Sequence, residues 1–150
     1  MDYKYTSRSE EDTMELAENI ESEKFPGMVI CLNGDLGSGK TVFVKGFARS
    51  LGMTENITSP TFNIVKEYNS GEMPLNHIDA YRIDETDHTI AFDDYFNSNG
   101  ITIIEWSDLI KDKLPDERLE IKFKIVNENV RVLVLKPYGS KYEDVVNSVL

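Results

Sequence analysis

The sequence contains a single cysteine, Cys31, and no apolar run that approaches the length needed to cross a membrane. One cysteine excludes an internal disulfide, and its place within an apolar segment predicts a buried thiol that packs as a small apolar group. The first residues are polar and lack the apolar centre of a secretory signal. We therefore expect a cytoplasmic protein, in a reducing compartment, with no membrane segment.

Positive charge is also scarce. The chain has 16 Lys and Arg residues against 27 Asp and Glu residues, which gives a formal net charge of −11. A broadly acidic surface repels phosphate backbones, and no basic stripe is visible, so we expect no tight direct binding of RNA or DNA. The length of 150 residues predicts a single domain, residues 1–150, with enough chain for a proper core.

One glycine-rich stretch organises the rest of the sequence. Residues 34–41 read Gly-Asp-Leu-Gly-Ser-Gly-Lys-Thr and match the pattern G-x-x-x-x-G-K-[ST] of a phosphate-binding P-loop. The wholly apolar run 28–32 predicts a buried parallel strand before the loop. The helical spacing of Phe43, Phe47 and Leu51 predicts a helix after it. Strand, loop and helix in this order favour a phosphate site over a chance match.

The loop residues have distinct chemical tasks. Glycines let the backbone turn its N–H groups toward an anion, and the following helix adds the positive end of its dipole. Lys40 supplies a charge for the β- and γ-phosphates, and the hydroxyl of Thr41 is a ligand for Mg²⁺. A distant residue, Arg131, is placed near the base. The predicted nucleotide-binding residues are Gly34, Asp35, Leu36, Gly37, Ser38, Gly39, Lys40, Thr41, Val42 and Arg131.

Two later segments end in carboxylates. Residues 75–82 predict a strand that delivers Asp79 to the crevice at the carboxyl ends of the sheet, where it can hold Mg²⁺ through water or orient the attacking water. A surface ion pair with Arg82 is the alternative role for Asp79. Residues 101–105 predict a strand that ends in Glu105, a hard oxygen ligand that completes a metal site with Thr41.

Three other residues of this region allow two interpretations. The hydroxyl-rich segment after the helix places Thr61 where a switch residue could sense a γ-phosphate, but an ordinary turn is as consistent with the pattern. Trp106 either walls the site or is a core aromatic. We interpret His77 as a packed strand residue rather than a ligand or base.

The remaining segments predict the supporting structure. A capping box at Ser7 or Ser9 starts a first helix, and Ser107 and Ser140 are predicted to cap two later ones. Residues 85–97 predict a further helix.

Residues 119–125 and 130–135 predict an antiparallel hairpin beside the parallel core. The expected fold class is α/β, a P-loop NTPase-like three-layer sandwich whose central parallel sheet is flanked by antiparallel strands, including this C-terminal hairpin.

Together these motifs resemble the TsaE family, formerly called YjeE, of bacterial P-loop ATPases in the tRNA threonylcarbamoyladenosine pathway. The Ser-Pro-Thr turn, the His-x-Asp-x-Tyr-Arg strand and the Glu-Trp pair, in that order after the loop, make the resemblance specific. Small departures are Ser38, where Ala is common, and Phe62, where Tyr is common. The matching segments are residues 34–41, 58–62, 77–82, 94–96, 105–107 and 114–115.

The resemblance implies ATP and Mg²⁺ as cofactors, with Thr41 and Glu105 on the metal and Asp79 required for hydrolysis. With Lys40 on the phosphates and Thr61 as sensor, the predicted catalytic residues are Asp79, Lys40 and Thr61. It also implies a partner, the TsaB–TsaD heterodimer that transfers threonylcarbamoyl to tRNA, so this chain would meet tRNA only indirectly. Hydrolysis by the free protein is expected to be slow.

Two alternatives share the same loop. The first is a small-molecule P-loop kinase, although the chain has only five arginines and they do not cluster into a lid. The second is a non-hydrolysing, nucleotide-gated binding module. A GTPase is disfavoured because the sequence has no Asn-Lys-x-Asp motif.

Overall fold

The computed structural model describes residues 2–58, 65–83 and 91–150. Within them the chain forms seven strands and four α-helices. The strands are β1 (Tyr3–Ser7), β2 (Val29–Gly34), β3 (Val65–Tyr68), β4 (Leu75–Asp79), β5 (Ile101–Glu105), β6 (Arg118–Ile125) and β7 (Arg131–Tyr138). The helices are α1 (Glu10–Glu21), α2 (Lys40–Ser50), α3 (Phe92–Phe96) and α4 (Ser140–Val149), with short 3-10 helices at Ala80–Arg82 and Ser107–Lys113.

All seven strands belong to one mixed sheet in the order β1-β7-β6-β2-β5-β4-β3. Its centre is parallel: β2 pairs in parallel with β5 and β6, and β5 pairs in parallel with β4. At one edge β3 runs antiparallel to β4, and at the other β7 runs antiparallel to β6 and β1 to β7. The predicted parallel sheet with flanking antiparallel strands and a C-terminal hairpin is confirmed.

Helices cover both faces of the sheet and make the predicted three layers. Helices α1, α2 and α4 pack on one side, which we call the α2 face, around the larger apolar core. The opposite side, the α3 face, carries α3 and the 3-10 helix Ser107–Lys113 over a smaller cluster. Side chains alternate between the two faces along each strand. On β2, for example, Ile30 and Leu32 enter the larger core, whereas Val29 and Cys31 enter the smaller one.

Strand β1 was not predicted, because residues 3–5 read as a polar start to the chain and Ser7 as a candidate cap of the first helix. Its partner is β7, far along the sequence, with Tyr3 opposite Leu135. Tyr3 and Tyr5 pack against the larger core, and Lys4 between them is exposed. The two-residue alternation is therefore present, but it is too short to indicate a strand without its partner.

Several predicted boundaries shift. Of the two predicted caps for the first helix, Ser9 is the one used, and its side chain accepts a hydrogen bond from the backbone N–H of Asp12 at 3.1 Å. The helices that begin at Ser107 and Ser140 have no side-chain cap, so those two predictions are wrong. The hydroxyl of Ser107 is instead engaged by the side-chain amide of Asn33, at 2.9 Å.

The predicted strand 75–82 ends early, at Asp79. The carboxylate of Asp79 accepts a hydrogen bond from the backbone N–H of Tyr81 and turns the chain into a 3-10 helix. Of the predicted helix 85–97 the structure shows Phe92–Phe96, and its earlier part lies outside the described residues.

Candidate active site

The loop between β2 and α2 holds its shape through glycines at two demanding positions. Gly39 has φ 107°, a left-handed conformation that residues with side chains rarely adopt, and it leads directly into α2. Gly34 lies against β6, where an added Cβ would come 2.8 Å from the Cβ of Phe123 and 2.7 Å from the Oγ of Ser38. Side chains at these two positions would therefore deform the loop.

Polar donors of the loop point to a ligand. The side chain of Ser38 is buried, yet its Oγ has no hydrogen-bond partner among the described residues. Helix α2 begins without a side-chain cap. Since the first N–H groups of a helix have no partner within the helix, they are donors for an anion at this end. These features fit a bound phosphate group.

Lys40 lies inside the loop rather than in solvent, with 5% of its surface exposed. Its ammonium donates hydrogen bonds to the backbone carbonyls of Gly34 and Asp35, the second at 3.1 Å. It also lies 4.2 Å from the ring centroid of Trp106. Burial lowers the pKa of Lys40, while the nearby carboxylates of Glu105, Asp79 and Asp35 raise it and so offset part of that effect.

Three side chains converge at the carboxyl ends of β4 and β5. Glu105 is buried, and its Oε1 lies 3.5 Å from the Oγ1 of Thr41, the second residue of α2. The other carboxylate oxygen, Oε2, lies 2.6 Å from Nε2 of His77, which is fully buried. Asp79 is the direct register partner of Glu105 in the parallel pair of strands.

Asp79 is a carboxylate with a perturbed proton affinity. Burial raises its pKa above the usual range for Asp, and the negative charge of Glu105 raises it further. The hydrogen bond from the N–H of Tyr81, together with His77 and Lys40, lowers it and partly compensates. The net result is a carboxylate that accepts a proton more readily than an ordinary Asp.

Trp106 has an unusual backbone conformation. It is the one non-glycine residue with a positive φ in the described part of the chain, at 59°. Its N–H donates to the carbonyl of Leu32 at 2.8 Å, and its ring packs against Tyr81 as well as Lys40. Trp106 therefore walls the site, and the same ring also contacts the cluster of the α3 face.

A cleft lies beside the loop, on the side where β7 begins. Arg131 borders it, and its guanidinium donates to the carbonyl of Gly37 at 3.3 Å, so the structure brings this predicted residue to the loop. The other lining residues are Ser9, Glu10, Thr13, Gly37, Ser38, Gly39, Val42, Glu128 and Asn129. The cleft therefore adjoins the loop.

The sequence predicted most of this group. The structure brings together Lys40, Thr41, Glu105 and Asp79, whose roles remain predictions. Thr61 lies outside the described residues, and so does the side chain of Arg82. His77 is buried in its strand, as predicted, but its contact with Glu105 was not predicted.

The residues of α1 and of the β6–β7 turn that line the cleft were not predicted from the sequence. A usable signal existed for His77, because it lies two residues before Asp79 and must share its face of the sheet.

The donor set fits a magnesium ion. Thr41 and Glu105 offer a hydroxyl and a carboxylate oxygen, the hard ligands that Mg²⁺ prefers, and Mg²⁺ usually fills its other positions with water and substrate phosphates. Within residues 2–58, 65–83 and 91–150, no group of three or more His, Cys, Asp or Glu side chains gathers to form an all-protein metal site. The arrangement suits a metal that arrives with phosphates.

None of the helices in the described ranges is both long and apolar enough to cross a membrane.

Comparisons with known proteins agree with the motifs. The family described as threonylcarbamoyl adenosine biosynthesis protein TsaE matches residues 7–133. A TsaE protein of Bacillus subtilis is 41% identical over 140 residues, which cover 93% of this chain and 89% of the relative. A TsaE protein of Aquifex aeolicus is 42% identical, over 82% of this chain and 87% of the relative.

Among solved structures, the crystal structure of Bacillus subtilis YdiB superimposes with a TM-score of 0.88 at 37% identity. The match covers 99% of this chain and 94% of YdiB. With this fold, this match over most of the sequence and these relatives, the chain belongs to the TsaE family of tRNA threonylcarbamoyladenosine biosynthesis.

Proposed function

We propose that this protein binds ATP with Mg²⁺ at the loop of residues 34–41, hydrolyses it slowly, and serves the TsaB–TsaD complex during threonylcarbamoyladenosine formation in tRNA. The observation that carries the proposal is the convergence of one cation, one hydroxyl and two carboxylates, Lys40, Thr41, Glu105 and Asp79, at the carboxyl ends of neighbouring strands. In open α/β sheets ligands bind at this edge.

Phosphate binding is the task of Lys40 and the backbone. The ammonium is already desolvated and held by two loop carbonyls, so a triphosphate replaces neutral acceptors with charged ones. An anionic acceptor attracts the ammonium more strongly than a neutral carbonyl does, because the attraction is then between two full charges. The N–H groups at the start of α2 and the hydroxyl of Ser38 supply further donors, and the cleft beside Arg131 receives the nucleoside.

Thr41 and Glu105 are the proposed metal ligands. Mg²⁺ bound by their oxygens would neutralise negative charge on the phosphates during transfer. Because Oε2 of Glu105 is engaged by His77, the oxygen nearer to Thr41 is the one available to the ion.

Asp79 has the features of a general base for hydrolysis. It lies beside Glu105 at the strand end, and its raised pKa brings its proton affinity closer to that needed to accept a proton from water. Its hydrogen bond from Tyr81 fixes the direction of the carboxylate. Thr61 is retained in the proposal as the sensor of the γ-phosphate.

The partner part of the proposal rests on the family. Members of the TsaE family take part in threonylcarbamoyladenosine biosynthesis, and the acidic balance of this chain suits a protein that meets tRNA through TsaB–TsaD in the cytoplasm. At the mouth of the loop, Leu36 is 89% exposed and Tyr81 is 62% exposed. Apolar side chains at this rim fit a partner that docks across the site and completes it.

Calorimetric ATP titrations with and without Mg²⁺, followed by phosphate-release assays, test the site. We expect Asp79→Ala to bind ATP but lose turnover, and Glu105→Gln to lose the metal dependence of both steps. Glu55→Gln, an exposed change away from the site, is the matched control and should behave as wild type. Absence of ATP binding by the wild type contradicts the proposal, and transfer of phosphate to a metabolite instead of water would indicate a kinase.

The partner is tested by pull-down from lysate with and without ATP, followed by measurement of threonylcarbamoyladenosine in cells that lack the protein. We expect nucleotide-dependent capture of TsaB and TsaD and loss of the modified nucleoside. Full modification in the deleted cells would contradict the proposed role.

A further inference from the structure

A histidine and a glutamate form a closely buried pair beneath the site. Nε2 of His77 lies 2.6 Å from Oε2 of Glu105, and the two residues are 0% and 3% exposed. The preceding residues on the same face of each strand are apolar: Leu75 before His77, and Ile103 before Glu105. Both belong to the larger core. Water is therefore excluded from this contact, and the hydrogen bond fixes both side chains.

The short contact identifies the donor. At 2.6 Å, Nε2 of His77 and Oε2 of Glu105 cannot both present lone pairs, and a carboxylate that binds a metal only accepts, so Nε2 carries the proton between them. His77 therefore acts on Glu105 as a hydrogen-bond donor. Nδ1 of His77 is buried and has no hydrogen-bond partner among the described residues.

This bond divides the two oxygens of Glu105 between two tasks. Oε2 accepts from His77, and Oε1 lies on the side of the Thr41 hydroxyl, at 3.5 Å. A carboxylate that is held in this way presents one oxygen to a metal ion. Mg²⁺ demands near-ideal octahedral geometry and suits single-oxygen ligation, whereas Ca²⁺ takes six to eight oxygens and accepts carboxylates through both.

We propose that His77 is a positioning residue that holds Glu105 in one-oxygen ligation and so sets the preference of the site for Mg²⁺ over Ca²⁺. The inference rests on the proposed function, in which Glu105 binds the metal. Partners that orient metal ligands typically contribute a factor of about 10 to 100 in metal affinity. The effect of His77 should fall on the affinity and selectivity for the ion more than on the affinity for nucleotide without metal.

The test uses His77→Leu and His77→Gln in the full chain. Leu removes the donor, whereas Gln keeps an amide N–H near the position of Nε2. ATP binding is followed by calorimetry at increasing Mg²⁺ or Ca²⁺. We expect Leu to raise the Mg²⁺ concentration for half-maximal enhancement of binding about 10-fold or more and to reduce the preference over Ca²⁺. Gln should restore most of both.

Asn76→Val is the matched control. Asn76 is buried on the same strand but its amide faces Thr102, at 3.4 Å, on the other side of the sheet. It should reduce stability without altering either metal titration. Thermal unfolding of every variant identifies any that fail to fold, and His77→Gln keeps the test informative if the Leu variant does.

Two outcomes separate this inference from the proposed function. If Glu105→Gln leaves the Mg²⁺ titration unchanged, Glu105 is not a metal ligand and both proposals fail. If Glu105→Gln weakens the titration while His77→Leu folds and keeps wild-type Mg²⁺ affinity and selectivity, only the positioning role of His77 is overturned. The same holds if Gln behaves like Leu, because the donor would then not be the relevant feature.

Discussion

The two faces of the sheet support the site in different ways. The α2 face is backed by the larger core, and the side chains of His77, Asp79 and Glu105 project on this side as continuations of apolar rows. The α3 face is thinner and contributes mostly through the chain that follows β5. Charged side chains thus stand on the better-packed side of the sheet, where surrounding rotamers are fixed.

The α3 face instead acts through a polar clamp. The side-chain amide of Asn33, one residue before the loop, donates to the hydroxyl of Ser107 and accepts from the backbone N–H of Asp108, both at 2.9 Å. This clamp ties the end of β2 to the segment just after Glu105, and the left-handed Trp106 lies between. On the α2 face, packing of the larger core holds the side chains rigid. On the α3 face, the hydrogen bonds of Asn33 fix the position of the segment that follows β5.

The largest expected effect comes from breaking the core of the α2 face. Phe47→Ala removes a fully buried ring and should lower the free energy of unfolding by about 3–5 kcal/mol. Phe92→Ala removes the same group from the five-residue α3, where the surroundings can close over the gap more easily, so the loss should be smaller. Urea unfolding of both variants measures the difference in lost stability. Equal losses would show that the α3 face is packed as well as the α2 face.

The second effect concerns Lys40, which connects the faces by contacting both the loop and Trp106. Lys40→Ala should weaken ATP binding by about 10- to 100-fold, since a hydrogen bond to a charged group contributes about 1.5–3 kcal/mol. Lys45→Ala, an exposed lysine on the same helix, is the control and should bind normally. Unchanged affinity of the Lys40 variant by calorimetry would remove Lys40 from the phosphate site.

A smaller effect, with opposite signs for stability and activity, is expected at Asp79. Folding raises the pKa of this carboxyl chiefly through burial, so the fold favours its protonated form and is destabilised as the pH rises through that pKa. Asp79→Asn should therefore stabilise the protein at neutral pH, and the gain should vanish in acid below the ordinary Asp range. Phosphate release should be lost at every pH.

Unfolding curves for wild type and Asp79→Asn at several pH values, combined with the turnover assay, check this. If Asp79→Asn were less stable than wild type at neutral pH, the ionised carboxylate of Asp79 would stabilise the fold, contrary to this prediction.

The smallest effect is expected on the outer surface of the α2 face. Arg49 of α2 forms an exposed ion pair with Glu18 of α1. Exposed pairs contribute about 0.2–1 kcal/mol, so Arg49→Ala should change the unfolding free energy by no more than that and should leave ATP binding intact. A larger loss in urea would mean that contact between α1 and α2 depends on charge as well as on packing.

The loop region was predictable because its signals are local. The pattern from Gly34 to Thr41, the apolar strand before it and the helical spacing after it lie within about twenty-five residues and need no distant partner. The strand that ends in Glu105 was recognisable for the same reason. The family follows from the order of such short motifs.

The features that were not predicted depend on residues that are distant in sequence, or on which face of the sheet a side chain lies. Strand β1 needs β7, its partner far along the sequence. The bond between His77 and Glu105 needs knowledge that β4 and β5 are neighbours in a particular register. None of these is encoded in a window of adjacent residues.

The left-handed Trp106 also has a practical consequence. It is the single tryptophan of the chain, and its indole lies 4.2 Å from the ammonium of Lys40. The emission of an indole responds to charges and polarity in its immediate surroundings. Intrinsic fluorescence of the unmodified protein is therefore a local optical probe of whether the lysine faces its own loop or a ligand, and stopped-flow recordings could time that exchange without any label.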